Sequence, residues 1–364
     1  MATIYDVARA SNVSPKTVSR VLNGDAPVGA ETRAAVEAAM AALGYVPSNA
    51  ARTLRSNRSG LVGLITGAIS LASEPSVPVG LPDLFIVQGI QAALADSGMT
   101  LMIADTGGRS DRVPHLIQTF LRHRVEGLIY VAEHHQKVGL PRVPKLVHLV
   151  LANCYDDIGT PAILPDDQRG QHDLVDRLIA AGHRRIGFLA LSETIDAGRL
   201  RGAGYRAALQ AAGIAYDPDL VQPGELAGLE GLEGDIQLLW DSIERLLQLP
   251  DPPTVLCCGN DKLALRVYGI LRSRGVKVPD DMSVAGYDNY RVIAETLYPP
   301  LTTVDLPYAA MGARAAQTLL SLMRGAPNDA DAAQNTVPGD VIWRASVTVR
   351  DPRIVPLQSN RRNG

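Results

Sequence analysis

Residues 2–24 read ATIYDVARASNVSPKTVSRVLNG, and the order of caps, turns and apolar positions in this stretch decides how the chain begins. Thr3, followed three residues later by Asp6, is a capping-box-like start, and Ile4, Val7 and Ala8 line one face of a first helix ending near Ala10. Ser11-Asn12-Val13 forms a tight turn. Ser14 is a good N-cap and Pro15 stands at the first helical position, where its missing N–H costs nothing, so a second helix runs to about Leu22. Val18, Val21 and Leu22 fall at i, i+3 and i+4 and face inward, which leaves Lys16, Thr17 and Arg20 pointing outward. A third helix, from about Ala30 to Leu43, carries Val36, Met40 and Leu43 on one stripe and stops at Gly44. Three helices closing on Val7, Val13, Val18, Val21, Val36 and Met40 make a helix-turn-helix bundle.

Such a bundle presents its second helix to the DNA major groove, where Lys16 and Arg20 could donate to guanine O6 and N7. Tyr5, Thr17, Ser19 and Asn23 carry hydroxyl or amide groups near the same surface and suit phosphate contacts. On spacing alone, the same face also fits a solvated basic helix that binds protein or nothing.

Charge supports the first reading. Of the net −3, residues 1–60 hold seven basic and four acidic side chains, about +3, leaving about −6 for the rest. A basic head on an acidic body suits a polyanion-binding module joined to something else. The length of 364 residues implies two or three domains, and 46% hydrophobic with 20% charged residues is ordinary globular composition. Cys154, Cys257 and Cys258 form an odd, sparse set without CxxC spacing, which argues against a disulfide framework or zinc site and for a reducing compartment, the cytoplasm. No stretch approaches the roughly 18 apolar residues of a membrane span, and the N-terminus does not read as a signal peptide.

The run quoted above, followed by ETRAAVEAAMAALGYVPSNAARTLRS, resembles the DNA-binding headpiece of the lactose/galactose repressor (LacI/GalR) family along its whole length. The resemblance implies groove reading by Pro15, Lys16 and Arg20, with a hinge helix after Pro47. Ser48 can cap Asn49 to Arg55, but about seven residues are too few to stay helical alone in water. In the family two hinge helices pair and insert a leucine into a minor-groove step; Leu54 stands at that position, with Arg55 beside it as a further DNA contact. Ala50 departs from the family, standing where many relatives place a branched apolar residue.

Beyond Ser59, short apolar runs (Leu61–Thr66, Met99–Ala104, Gly127–Val131, Leu146–Leu151, Ile186–Leu191, Thr254–Cys258, Ser283–Tyr287) alternate with amphipathic ones (Leu84–Asp96, Val113–Arg122, Gln171–Ala180, Leu200–Ala211, Asp261–Arg274, Ala309–Met323). That alternation predicts parallel sheets covered on both faces. GHRRIGFLAL, GRLRGAGYRAAL, CCGNDKLALRVYGILRSRGVKVPDDMSVAGYDN and YPPLTTVDLP resemble the effector-binding core of the same family. The implied fold is an N-terminal all-α helix-turn-helix headpiece (1–47), a hinge (48–59), a periplasmic-binding-protein-like α/β core of two parallel-sheet lobes (60–350) and a tail (351–364). Lobe 1 would take about 61–160 and 292–323, and lobe 2 about 161–291 and 337–350.

Parallel sheets place ligands at the carboxyl ends of their strands, which selects Glu133, His134, Asp166, Arg199, Asn260, Asp261 and Asp288 as effector contacts. The resemblance implies that Asp166, Arg199 and Asp288 hydrogen-bond a sugar or nucleobase. Asp261 reads also as a helix N-terminal residue favoured by the dipole, and His134 and His135 as plain loop residues. Two stretches depart from the family: the Ser/Ala/Pro/Val-rich run from Gly67 to Pro82, and GELAGLEGLEGD after Val221, which lacks an aromatic for stacking on a ring. The expected partners are a palindromic double-stranded operator, a small-molecule effector of sugar type and a second copy of the chain, with no cofactor, metal or membrane.

Enzyme readings lack their parts. Asp105-Thr106-Gly107 spells an aspartic-protease triplet without a second carboxylate partner, and GxSxG, HExxH and Walker motifs are absent. A solute-binding protein for transport shares the body's architecture but would need export. A regulator whose cleft is purely structural also fits the sequence.

Overall fold

The computed structural model describes residues 2–23, 27–46, 59–67, 82–225, 232–325 and 334–350. Two compact units divide this chain: a helical headpiece and an α/β body that begins at Leu61.

The headpiece contains α1 (Ile4–Ala10), α2 (Pro15–Asn23) and α3 (Ala30–Leu43). Thr3 and Asp6 close a reciprocal capping box at the start of α1, and Asn12 turns the chain at φ 53° before Ser14 accepts from the Thr17 amide at 3.1 Å. Gly44 ends α3 in the left-handed region at φ 57°. Val7, Ala8, Val18, Val21, Val36 and Ala39 form the buried centre, with Val13 and Met40 packed against it. Leu43, expected on the inner stripe, is exposed, and Ala39 takes the buried place.

The body has two lobes. The first is a six-stranded, all-parallel sheet in the order β11-β5-β4-β3-β1-β2, built from β1 (Leu61–Thr66), β2 (Thr100–Asp105), β3 (Gly127–Lys137), β4 (His148–Tyr155), β5 (Ala162–Pro165) and β11 (Gln334–Val337). The second is a four-stranded parallel sheet, β7-β6-β8-β9, from β6 (Ile186–Ala190), β7 (Val221–Pro223), β8 (Val255–Cys258) and β9 (Ser283–Ala285). Helices α4 (Pro82–Leu94), α5 (Val113–Arg122) and α11 (Tyr308–Met323) serve the first lobe. Helices α6 (Asp167–Ala180), α7 (Asp196–Ala211), α8 (Leu232–Leu247), α9 (Asp261–Ser273) and α10 (Arg291–Ala294) serve the second. In both sheets strand order reverses beside the first strand of the lobe, which opens a crevice at the strands' carboxyl ends.

The lobes share the chain differently from the sequence expectation. Residues 162–165 and 334–337 pair in the first sheet, whereas Ala294 and Leu301 pack in the second lobe's core. Strand β5 is four residues long and ends in Pro165, a residue that argues against an interior strand when read alone.

Three crossings therefore join the lobes. Asp166 N donates to Val337 O at 3.0 Å, Asp305 N to Asp340 O at 2.8 Å and Asp288 N to Val304 O at 2.9 Å, tying the crossing strands together. β10 (Thr303–Val304) pairs antiparallel with β12 (Val341–Ile342) at the same place. Gly339 is required there, since a Cβ would lie 1.8 Å from the Asp305 carbonyl oxygen.

Helices α4 and α11 meet through glycine as well. A Cβ on Gly89 would sit 2.0 Å from Ala309 O, and one on Gly312 would sit 2.0 Å from Ile86 O. The two backbones touch, which sets the spacing of Phe85 on α4 and Tyr308 on α11.

Candidate nucleic-acid interface and effector cleft

On the headpiece, Lys16 and Arg20 lie one turn apart on the exposed face of α2, opposite Val18 and Val21, and no ion pair engages either among the described residues. Tyr5 is two-thirds exposed, Thr17 and Ser19 are half-buried, and the Thr17 hydroxyl is 2.9 Å from that of Ser14. Pro15 opens the helix and Asn23 ends it. Leu54 and Arg55 lie outside the described residues. The outward face of α2 is thus basic and short, with no acidic side chain on that helix, the form a groove-reading helix takes.

In the body, the carboxyl ends of the second sheet converge on Arg201. Its Nε donates to Asp167 Oδ1 at 2.8 Å, its Nη1 to Gly259 O at 2.6 Å, and Nη1 lies 3.3 Å from Asp288 Oδ1. The guanidinium also sits over the Tyr287 ring, 3.7 Å from its centroid. Burial opposes the charge on Arg201, but the Asp167 and Asp288 carboxylates outweigh it and hold the guanidinium still more firmly protonated. Burial likewise pushes Asp167 up, yet Arg201 and His135 overcome it and keep the carboxylate ionised below its usual range. Asp288 goes the other way: burial raises it, with Arg201 only partly compensating. Its backbone is held at φ 114°, a strained value for a residue with a side chain.

Asp288 also lines a cavity of about 330 Å³ whose walls include Phe85, Asn289, Tyr290, Asp305 and Tyr308. Asn289 is fixed from two sides: its Nδ2 donates to Asp305 at 2.7 Å and its Oδ1 accepts from Arg344 at 2.7 Å. Two carboxylates, an amide and aromatic rings around a space of this size suit a small ring bearing hydroxyls.

The remaining expected contacts fall in different places. Asp166 is the N-cap of α6, accepting from the Arg169 amide at 3.2 Å, while its neighbour Asp167 reaches the cleft. Arg199 is exposed and ion-paired with Asp196; the buried arginine is Arg201, two residues on. Asn260 caps α9 through the Leu263 amide at 2.7 Å. Asp261 is buried and holds the crossing segment, accepting from Tyr290 N and Thr303 Oγ1, each at 2.7 Å, and burial raises its carboxyl well above the ordinary range. Glu133 and His134 are exposed at the end of β3, whereas His135 is buried against Asp167. Asp167 and Arg201 were not among the expected effector contacts, and His135, expected to be a plain loop residue, lies within β3 and is buried. A charged residue on an otherwise buried helix stripe, as Arg201 is with Gly204, Tyr205 and Ala208, was the signal that could have found one of them.

Residues 3–48 match the family model for bacterial regulatory proteins of the lacI family, and residues 175–347 match a periplasmic binding protein-like domain. The ribose operon repressor of Haemophilus influenzae is 30% identical over 338 residues, covering 90% of this chain and 94% of that protein. The chain belongs to the LacI family. The Escherichia coli K12 ribose operon repressor is 32% identical over 326 residues, 88% of this chain and 92% of its own. Among solved structures, the lac repressor dimer bound to operator and the anti-inducer ONPF aligns at TM-score 0.73 and 26% identity, covering 95% of this chain and 99% of that one. A transcriptional regulator CelR–cellobiose complex aligns at TM-score 0.62 and 28% identity, over 95% and 100%. As a LacI-family member with both the headpiece and the two-lobed core, the protein is a DNA-binding transcriptional regulator of the repressor type, with relatives that are regulators rather than enzymes. Among the described residues no helix is long and apolar enough to cross a membrane, and no cluster of His, Cys, Asp and Glu fits a metal ion.

Proposed function

We propose that this LacI-family protein is a cytoplasmic homodimer that represses transcription from a palindromic operator and whose operator affinity changes when a neutral, hydroxyl-rich ring, a sugar or nucleoside, enters the body's cleft. The carrying observation is the cavity of about 330 Å³ at Asp288, backed by the buried Arg201 and walled by Phe85 and Tyr308. Carboxylates that face a cavity accept from hydroxyl groups, and ring faces cover the apolar side of a pyranose, furanose or base. The relatives' names point the same way, since they are repressors of a ribose operon and a cellobiose-bound regulator.

In this reading Lys16 and Arg20 contact base edges, while Tyr5, Thr17, Ser19 and Asn23 set register on phosphates. Two headpieces related by a two-fold axis match two half-sites, and Leu54 with Arg55 engages the central minor groove. Effector occupancy alters the lobes and thereby the spacing of the hinge segments.

The test is a thermal-shift screen of pentoses, hexoses, disaccharides and nucleosides, followed by operator binding with each stabilising compound. A true effector raises the melting temperature by mass action and changes operator affinity. A panel that leaves both unchanged would favour a body whose cleft is structural only.

A further inference from the structure

His135 comes from β3 in the first lobe, yet its side chain is buried against the second. Its Nδ1 is 2.9 Å from Asp167 Oδ2, with 6% of the histidine and 1% of the aspartate exposed. The other oxygen of the same carboxylate accepts from Arg201, and Arg201 reaches Asp288 in the cavity wall. One carboxylate thus takes a donor from each lobe. An ionised carboxylate only accepts, so Nδ1 carries the proton. Beside it the Tyr155 ring stands edge-on to the imidazole at 6.1 Å, and Tyr155 Oη donates to Asp196 Oδ2 at 3.0 Å, a second bridge between the lobes. Asp196 is itself held by Arg199.

We propose that His135 is the positioning residue that couples occupancy of the Asp288 cavity to the angle between the lobes. The coupling rests on the effector reading above. A ligand that draws on Asp288 or Arg201 competes for the network anchored on Asp167, and among the described residues Asp167 is the hydrogen-bond acceptor through which His135 reaches the second lobe. Buried charge-assisted hydrogen bonds are strong and directional, so a change at Arg201 is felt at His135 rather than dissipated in solvent.

The experiment uses the full chain with nitroxides at Leu146→Cys in the first lobe and Leu265→Cys in the second. Both positions are exposed, and the native cysteines are buried. Labelled chain is diluted into excess unlabelled chain, and the interlobe distance distribution is measured by pulsed electron resonance. The wild type gives one narrow distribution. His135→Leu, which keeps bulk and removes the donor, broadens it and weakens binding of any compound that shifts the wild type about tenfold, the loss of one hydrogen bond to a charged group. His135→Asn, which returns an N–H near the Nδ1 position, restores both. A His135→Leu distribution identical to wild type, or an Asn variant as broad as Leu, overturns the latch. D-ribose, cellobiose and adenosine are the added probes: a wild-type distribution that ignores all three removes the effector coupling, a failure separate from that of the ligand-free latch.

Discussion

Arg201 and Tyr287 are stacked, guanidinium carbon to ring centroid at 3.7 Å, in a site where Arg201 is also the shared partner of Asp167 and Asp288. A lysine cannot reproduce this, because an ammonium lacks the planar fork that donates sideways while stacking.

Arg201→Ala leaves Asp167 buried without its arginine partner, and Arg201→Lys, which keeps the charge but not the fork that reaches Asp167, Gly259 and Asp288 together, is expected to fall between Ala and wild type. Breaking a buried pair from one side costs about 3–5 kcal/mol. Urea unfolding should show the midpoint falling for both variants, with effector response lost and operator binding retained if the protein is kept below the transition. Full retention of stability in the lysine variant would contradict the network described here.

His183 sets a pH limit. Its Nε2 faces the Thr348 carbonyl at 3.0 Å and its Nδ1 the Thr254 hydroxyl at 2.7 Å, so the neutral ring donates once and accepts once. Burial lowers its pKa to about 4 from 6.5. Between these values the unfolded chain binds a proton that the folded chain does not, so stability is complete above pH 6.5 and declines as pH falls toward 4. The loss reaches up to about 3 kcal/mol, at roughly 1.4 kcal/mol per unit. Denaturation midpoints across pH 4 to 7 should show this slope, and His183→Gln should flatten it.

At the contact of α4 with α11, two effects oppose each other. Gly312→Ala would gain about 1 kcal/mol of helix propensity. The new Cβ, however, meets the Ile86 carbonyl oxygen at 2.0 Å, and forcing backbone apart costs about 1–3 kcal/mol or more. The clash wins, so the melting temperature should fall, and binding at the Phe85–Tyr308 side of the cavity should weaken with it. A more stable alanine variant would show that the helices slide freely.

For the headpiece, Arg20→Ala is expected to relax discrimination at one operator position and cost about 1–3 kcal/mol there, while a phosphate contact would weaken all sequences alike. Selection from a randomised operator library by wild type and variant separates the two.

The headpiece was legible because each signal in it is local: a cap, a turn and a 3.6-residue stripe fall within a few residues of one another. Strands β1, β2, β3, β4, β6, β8 and β9 were legible as apolar runs for the same reason, whereas the short β5, β7, β10 and β11 were not. What stayed hidden depends on direction at the cleft. Arg199 and Arg201 differ by two residues on one helix, which puts them on different faces, and only packing against Tyr287 and Gly259 tells which faces inward. Asp166 and Asp167, and His134 and His135, are adjacent pairs in which one member caps or faces solvent and the other reaches across. The allocation of residues 162–165 and 334–337 to the first sheet was hidden too, since strand partners far apart in sequence leave no periodic trace.

The three crossings have a practical meaning for exchange between relatives. Neither lobe is a contiguous piece of chain, so transplanting the second lobe of another repressor needs three splice points, at about 165–167, 304–308 and 337–341, each preserving a backbone bond such as Asp166 to Val337 or Asp305 to Asp340. A single cut near residue 166 would carry over α11 and β11 of the first lobe along with the second. Ligand preference in this architecture is therefore altered by point changes around the cavity far more readily than by swapping modules.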